Sequence, residues 1–281
     1  MEERTDIVYI LGSGSKWHNN ELRHSLRSLG RLEGKGQVFI VGECPPWIDR
    51  AQVTHIREQD RHHNKLLNAI DKISTACTDR RISESFLLMN DDFYFLKRTK
   101  AVRSYTIGTL WNMERRHETR GGYYYDSITR TRKILCGMEI QEPKAYEAHY
   151  PMIFEKSKFL KMRMKLEGLG PYLFRSAYGN MNRVEAEDTK DFKCFDLYDL
   201  KRLKDGMFLS SDNKIALAPE FQRWLRKKFC ARSKYEYVRP ERWYATKMFT
   251  FRDKLWNPGD IVAGDVPEIV LKSNCILRRT E

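Results

Sequence analysis

Cysteine is scarce and scattered in this chain. Its six residues, Cys44, Cys77, Cys136, Cys194, Cys230 and Cys275, include no C-x-x-C pair. That argues against a zinc cluster or a disulfide scaffold and fits a reducing cytoplasm. Long apolar runs are missing too, since nothing approaches the ~20 residues that span a bilayer. The N-terminus, Met1-Glu2-Glu3-Arg4-Thr5-Asp6, is charged and leads straight into a strand, so no secretory leader is expected. Repeats, low-complexity tracts and obvious linkers are also absent, which favours one domain over residues 1–281. Acids are the minority among the charges: 38 Asp+Glu against 51 Lys+Arg give a net charge of +13. Such an excess favours a polyanionic partner, whether nucleic acid, an anionic polymer or a membrane surface. The 41% hydrophobic content supports a packed core.

What the chain does have is an apolar run broken at its centre by two acids: Phe86-Leu87-Leu88-Met89-Asn90-Asp91-Asp92-Phe93-Tyr94-Phe95-Leu96. The flanks read as buried strand. Ionised carboxylates rarely enter such surroundings unless they are paired or bind a metal. Asp91 and Asp92 are therefore expected where a strand leaves the core, facing a cation, with the chain returning inside at Phe93–Leu96. Hard oxygen ligands at a strand end suit Mg²⁺ or Mn²⁺, which take one or two carboxylates and complete their shell with substrate phosphates. A nucleotide-activated donor is the natural ligand of such a site. The competing reading is a turn whose aspartates face water or pair with arginines.

Strand and helix signals alternate through the first hundred residues. Asp6–Leu11 reads as a strand and is followed by the turn Gly12-Ser13-Gly14-Ser15. Asn20 is placed to cap a helix with the apolar face Leu22, Leu26, Leu29 and Leu32. Val38–Val41 is a second strand, stopped by Gly42 and Pro45-Pro46, and Val53–Ile56 a third. Leu66, Leu67, Ile70 and Ile73 mark another helix, opened by His62-His63-Asn64 as capping or nucleobase-side residues, and Phe86–Met89 is the fourth strand. This alternation predicts an α/β fold with a Rossmann-like sheet and ligands at the carboxyl ends of its strands. The Gly12 turn and Asp91-Asp92 both fall there. Further on, Arg115, Arg116, Arg120, Arg130, Arg132 and Lys133 surround Tyr123-Tyr124-Tyr125, a mixture suited to phosphates and stacked bases. A helix from about Glu155 carries Phe159, Met162, Leu166 and Leu169, a strand is expected over Met207–Ser210, and Pro219 opens a helix that buries Phe221, Trp224 and Leu225. After Pro240 the chain is aromatic, with turns at Pro258, Gly259, Gly264 and Pro267.

Four blocks in order resemble the Stealth proteins, which include bacterial capsular-polysaccharide phosphotransferases and an animal N-acetylglucosamine-1-phosphotransferase. They are the first strand with Asn19-Asn20-Glu21-Leu22-Arg23-His24-Ser25-Leu26-Arg27-Ser28-Leu29, then Leu88-Met89-Asn90-Asp91-Asp92, then Ala148-His149-Tyr150-Pro151 with Arg175, and Phe208–Asn213 through Ser233-Lys234-Tyr235-Glu236. The resemblance implies a GT-A-like nucleotide-sugar transferase domain with helical elaborations. Residues 1–100 would bind a UDP-sugar, and residues 101–281 would supply acceptor binding and catalysis. It also implies roles. His149 would be the base, Asp212 a second base or metal ligand, and Arg175 a phosphate clamp. Gly12, Ser13, Gly14, Lys16, Asn20, Arg23 and Asn90 would be donor contacts. The turn departs from the family, because Ser13 and Lys16 stand where bacterial members carry acids. A lysine there attracts phosphate or sugar-acid oxygens, which brings plain glycosyl transfer forward against sugar-phosphate transfer. The variant turn resembles viral glycosyltransferases and suits a hydroxymethylated DNA base as acceptor, in the cytoplasm of a host if the chain is viral. A DNA-binding protein on a degenerate transferase scaffold is the reading from another class. No protein partner is implied.

Overall fold

The apolar runs of the first hundred residues are continuous because helices cover both faces of the sheet they build. In the computed structural model, which describes residues 4–237, the chain begins β1 (Thr5–Leu11), α1 (Asn20–Ser28), β2 (Lys35–Gly42), β3 (Val53–Ile56), α2 (Lys65–Thr78) and β4 (Ser85–Met89). It continues with β5 (Phe93–Phe95), β6 (Tyr105–Thr106), α3 (Leu110–His117), α4 (Gly122–Gly137), β7 (Met152–Glu155), α5 (Lys156–Lys165) and α6 (Phe174–Met181). The last described elements are β8 (Glu187–Asp188), β9 (Lys193–Cys194), α7 (Leu197–Leu203), β10 (Phe208–Ser211), α8 (Asn213–Ala216) and α9 (Pro219–Lys228).

The main sheet has the order β3-β2-β1-β4-β7. Its first four strands are parallel, and β7 pairs antiparallel with β4, Phe86 opposite Phe154. Val8, Phe39, Val41, Phe86 and Leu88 point to one face, where Ile70 and Ile73 of α2 and Phe159 and Met162 of α5 close over them. Ile7, Tyr9, Ile40, Leu87 and Met89 point to the other, against Leu22 and Leu26 of α1. The order reverses between β1 and β4, which opens a crevice at their carboxyl ends. Gly42 ends β2 at φ +117°, where a Cβ would stand 2.0 Å from the Leu11 carbonyl oxygen, so no side chain fits there.

A second sheet, β5-β10-β9, lies beyond the acids, with β10 antiparallel to β5 and parallel to β9. The free edge of β5 rests on α1 and is satisfied by serines. Ser25 Oγ donates to the Phe93 carbonyl at 2.6 Å, and the Phe95 N–H donates to Ser28 Oγ at 3.1 Å. This is why the polar side of α1 is buried with its leucines. The α/β class with a Rossmann-like parallel sheet read from the sequence is the class observed.

Several details differ from the sequence reading. Met152–Glu155, unassigned from sequence, is the fifth strand of the main sheet. The helix after it ends at Lys165, which leaves Leu169 44% exposed instead of on its apolar stripe. The aromatic stretch after Pro240 lies outside the described residues. Among the described residues no helix is long and apolar enough to cross a membrane.

Asp6 ties the strand starts together. Its Oδ1 accepts from the Gln37 N–H at 2.9 Å, and its Oδ2 accepts from the Ser83 N–H at 2.9 Å and from Ser83 Oγ at 2.7 Å. Asp6→Ala leaves two backbone donors unpaired in a position only 7% exposed. A loss of about 2–4 kcal/mol is expected in urea unfolding, and a change under 0.5 kcal/mol would show that water replaces the carboxylate.

Candidate active site

The crevice outside β1 and β4 gathers acids from three parts of the chain. Asp91 and Asp92 follow β4, Glu21 sits in the first turn of α1, and Glu147 precedes β7. Burial raises the Asp91 pKa to about 7, helped by the charges of Asp92 and Glu21 and opposed by Lys193. Burial also raises Glu21, with Ser15 opposing and Asp92 adding to it, and Glu147, with Arg175 and His149 opposing. Hydrogen bonds fix three of these groups. Ser15 Oγ donates to Glu21 at 2.9 Å, Ser176 N–H and Oγ donate to Glu147 at 3.2 and 3.1 Å, and Ser210 Oγ donates to Asp92 Oδ2 at 2.9 Å.

Two cations enter this group, Arg175 buried and Lys193 partly so. Lys193 of β9 places its ammonium 2.6 Å from Asp92 Oδ2. Arg175, in the first turn of α6 and 4% exposed, donates through Nη2 to Asn90 Oδ1 at 2.8 Å. Burial lowers its pKa, while Glu147 and Asp92 hold it up. Two atoms are left over: Asp92 Oδ1, an acceptor, and Arg175 Nη1, a donor, are both buried without a hydrogen-bond partner. Unsatisfied buried groups of this kind call for a ligand or water.

His149 stands at the rim with a left-handed backbone, φ 49°, a strained conformation that the surrounding contacts must hold. Its Nδ1–H donates to both oxygens of Asp191, at 2.9 and 3.1 Å. The bond to a carboxylate sets the tautomer, so Nε2 carries the lone pair. Tyr124 of α4 packs edge-on against His117, with ring centroids 5.5 Å apart. Burial lifts its phenol pKa well up, and the charges of Glu147 and Asp191 add to this, so the basic helical face adjoins the His149–Asp191 pair.

The structure thus brings Asp91, Asp92, Asn90, Arg175 and His149 into one neighbourhood. The turn residues Gly12, Ser13, Gly14 and Lys16 lie at the end of β1, with Ser13, Gly14 and Lys16 exposed. Gly12 faces Asp60, whose Oδ2 would stand 3.2 Å from a Cβ there. Ser15 organises the turn by accepting the N–H groups of Trp17 and Asn19 at 3.3 and 2.8 Å.

Three assignments need correction. Asn20 is the first residue of α1 and not its cap; Asn19 precedes it at φ 58°, and the Asn20 side chain donates to the Trp17 carbonyl at 2.9 Å. Arg23 lies over the Trp47 ring at 4.5 Å and 3.8 Å from Glu236, on a flank of α1 that faces residues 232–236, and burial lowers its pKa to about 10. Asp212 caps α8, accepting from the Lys214 N–H at 2.8 Å. Asn64 does cap α2, while His62 pairs with Asp71 at 2.9 Å. Asp191, Lys193 and Glu147 are the site residues that sequence reasoning missed, while Tyr124 belongs to the tyrosine run it singled out. Asp191-Phe192-Lys193-Cys194 carries a faint period-two alternation, the one signal that could have found the first two.

Donor chemistry decides whether Mg²⁺ or Mn²⁺ suits the acids. Asp92 offers an unpartnered oxygen, and Asp91 a carboxyl whose ionised form burial and neighbouring charge disfavour, so a dication relieves both. Among the described residues no group of three or more His, Cys, Asp or Glu is arranged to hold a metal. Water and a ligand's phosphates would fill the remaining positions, which is the usual habit of Mg²⁺. On these terms the residues fit.

Similar solved structures include a glycosyltransferase involved in the glycosylation of the major capsid of PBCV-1, at 11% identity, covering 81% of this chain and 100% of that one, with a TM-score of 0.39. The glycosyltransferase GlyE of Streptococcus pneumoniae TIGR4 matches at 10% identity, covering 81% of this chain and 62% of that one, with a TM-score of 0.42. A 4-diphosphocytidyl-2C-methyl-D-erythritol synthase matches at 10% identity over 67% of this chain and 89% of that one, with a TM-score of 0.32. No family model and no curated protein matches the chain. At this distance a likeness assigns no activity, so the chain's own side chains carry the functional reading.

The raised Asp91 pKa has a consequence for stability. The folded carboxyl, at about 7, binds its proton more tightly than the unfolded one near 3.9. Stability from this group is therefore full below pH ~4 and is lost as pH rises through 7. In metal-free buffer Asp91→Asn should be more stable than the parent at pH 8, and the gain should vanish near pH 4. Equal stability at pH 8 would mean that Asp91 ionises freely.

Proposed function

We propose that the protein transfers a glycosyl group from a nucleotide sugar, of the UDP-sugar class, to a hydroxyl acceptor. One observation carries this reading: Asp92 Oδ1 and Arg175 Nη1, an acceptor and a donor, are both buried and unpartnered in one crevice. A divalent ion with a diphosphate satisfies the two together, the ion on the acids and a phosphate oxygen on the guanidinium. Residues 1–100 then form the donor side, with Lys16 of the exposed turn available to the donor's anionic oxygens.

In the reaction, His149 Nε2 takes the proton of the acceptor hydroxyl as its oxygen attacks the anomeric carbon. Asp191 holds the imidazole and stabilises the imidazolium that forms. The bond from the anomeric carbon to the diphosphate breaks and its electron pair leaves with the nucleotide. Arg175 grips a phosphate oxygen through that change. A Mg²⁺ or Mn²⁺ ion held by Asp91 and Asp92 would neutralise charge growing on the leaving diphosphate.

The acceptor proposed from sequence is a hydroxymethylated DNA base. Its support is the face of α3 and α4 beside the base. There Arg132 stacks 3.8 Å over the exposed Trp111, Arg115 and Arg116 flank a surface depression with Ile107 and Asn112, and Tyr123 is 57% exposed. Charge and aromatic surface together favour a nucleic acid, and a duplex base would have to leave its stack to reach His149. The four Stealth-like blocks favour the alternative, sugar-phosphate transfer to a capsular or cell-surface polysaccharide, with attack at phosphorus.

The released nucleotide separates the two. Incubation with UDP-sugars and hydroxymethylated DNA should give UDP; UMP would establish sugar-phosphate transfer, and no release with any acceptor would overturn the transferase reading. EDTA and Asp92→Ala should each lower turnover about 10³-fold, and His149→Ala about 10²–10⁴-fold.

A further inference from the structure

Lys193 is held on Asp92 from several directions. Its ammonium bonds Asp92 Oδ2 at 2.6 Å and Ser210 Oγ at 3.3 Å, and its side chain is 13% exposed. The backbone beneath it is fixed: β9 pairs in parallel with β10, Ser210 opposite Lys193, and the Lys193 N–H donates to Asp191 Oδ1 at 3.0 Å. Asp191 in turn holds His149. The ammonium sits on one oxygen of Asp92, while the other, Oδ1, is buried and unpartnered.

We propose that Lys193 is a tethered counter-cation that keeps the affinity of the Asp91–Asp92 pair for a divalent ion low until a nucleoside diphosphate arrives, so that ion and donor load together. This rests on the transferase reading above. Two cations on one carboxylate repel strongly in a partly buried site, so the free protein binds the ion weakly. A diphosphate brings negative charge to both cations and removes that penalty. By linkage, the diphosphate must tighten the ion as much as the ion tightens the diphosphate. Lys193 is thus a positioning residue for the donor complex, and the acids avoid capturing an ion that has no donor.

Mn²⁺ binding, read by the electron paramagnetic resonance of free Mn²⁺, tests this on the full chain with and without UDP. In the parent, UDP should tighten Mn²⁺ at least tenfold. Lys193→Met should bind Mn²⁺ alone at least tenfold tighter than the parent and lose most of the UDP effect. Lys193→Arg, which keeps the charge, should behave as the parent, and circular dichroism confirms that each variant is folded. Unchanged or weaker Mn²⁺ binding by Lys193→Met, or no UDP effect in the parent, overturns the proposal and leaves the ion site standing. Failure of every form to bind Mn²⁺ with or without UDP overturns the ion site and the proposal with it.

Discussion

Four carboxyl groups crowded at the carboxyl ends of β1 and β4 set the terms for this molecule. Glu21, Asp91, Asp92 and Glu147 are drawn from three separate stretches of chain, and burial disfavours the ionised forms of Glu21, Asp91 and Glu147. Nothing in the packing of an α/β sheet requires them there, and an apolar set would be more stable. The surrounding structure is arranged to keep them in place. Ser15, Ser176 and Ser210 each donate a hydrogen bond to one acid. Glu236 grips Arg27 with two bonds, at 2.8 and 2.7 Å, and so anchors the helix that carries Glu21. An arrangement that sacrifices stability locally and is braced from several sides is the mark of a site that completes itself with a ligand.

The second sheet gives that site its other half. Along one extended segment, Asp191 turns to His149 and Lys193 to Asp92. Phe192, between them, turns the opposite way into a ring cluster, 5.4 Å from Tyr105, 5.0 Å from Tyr150 and 5.9 Å from Phe208. Alternation along a strand is a property of the backbone. It lets a single, partly buried aromatic fix the separation between His149 and Asp92. His149 and Asp92 are distant in sequence, yet neither moves without disturbing the same strand.

How much of this was legible in the sequence depends on what each residue's neighbours reveal. The strands of the main sheet announce themselves as short apolar runs, and Asp91-Asp92 stand out because charge interrupts such a run. α1 was legible through its leucines, although it begins at Asn20, one residue before the expected boundary, because Asn19 and Asn20 are equally good cap letters. β7 was missed since four residues after Pro151, leading directly into a helix, have no room to display a period. Asp212 drew attention by following a strand, but an aspartate before Asn-Lys is as good a helix cap, and the cap is what formed. Asp191 and Lys193 were lost in a chain rich in both charges. Their roles come from pairing β9 with β10, a long-range event that the faint period-two alternation of Asp191–Cys194 does not by itself record. Arg175 was found through the block resemblance alone.

The distribution of charge ties these parts to one sense of operation. The chain as a whole carries +13, and exposed arginines line α3, while the crevice beside them is lined with acids. On the transferase reading proposed above, an anionic donor would be drawn to the molecule by this excess charge, and Lys193 and Arg175, with a divalent ion on the acids, would receive its diphosphate. The ion alone would meet Lys193, and the nucleotide alone would lack the ion's charge on the acids. Each would be poorly accommodated without the other, which favours their loading as a pair beside His149.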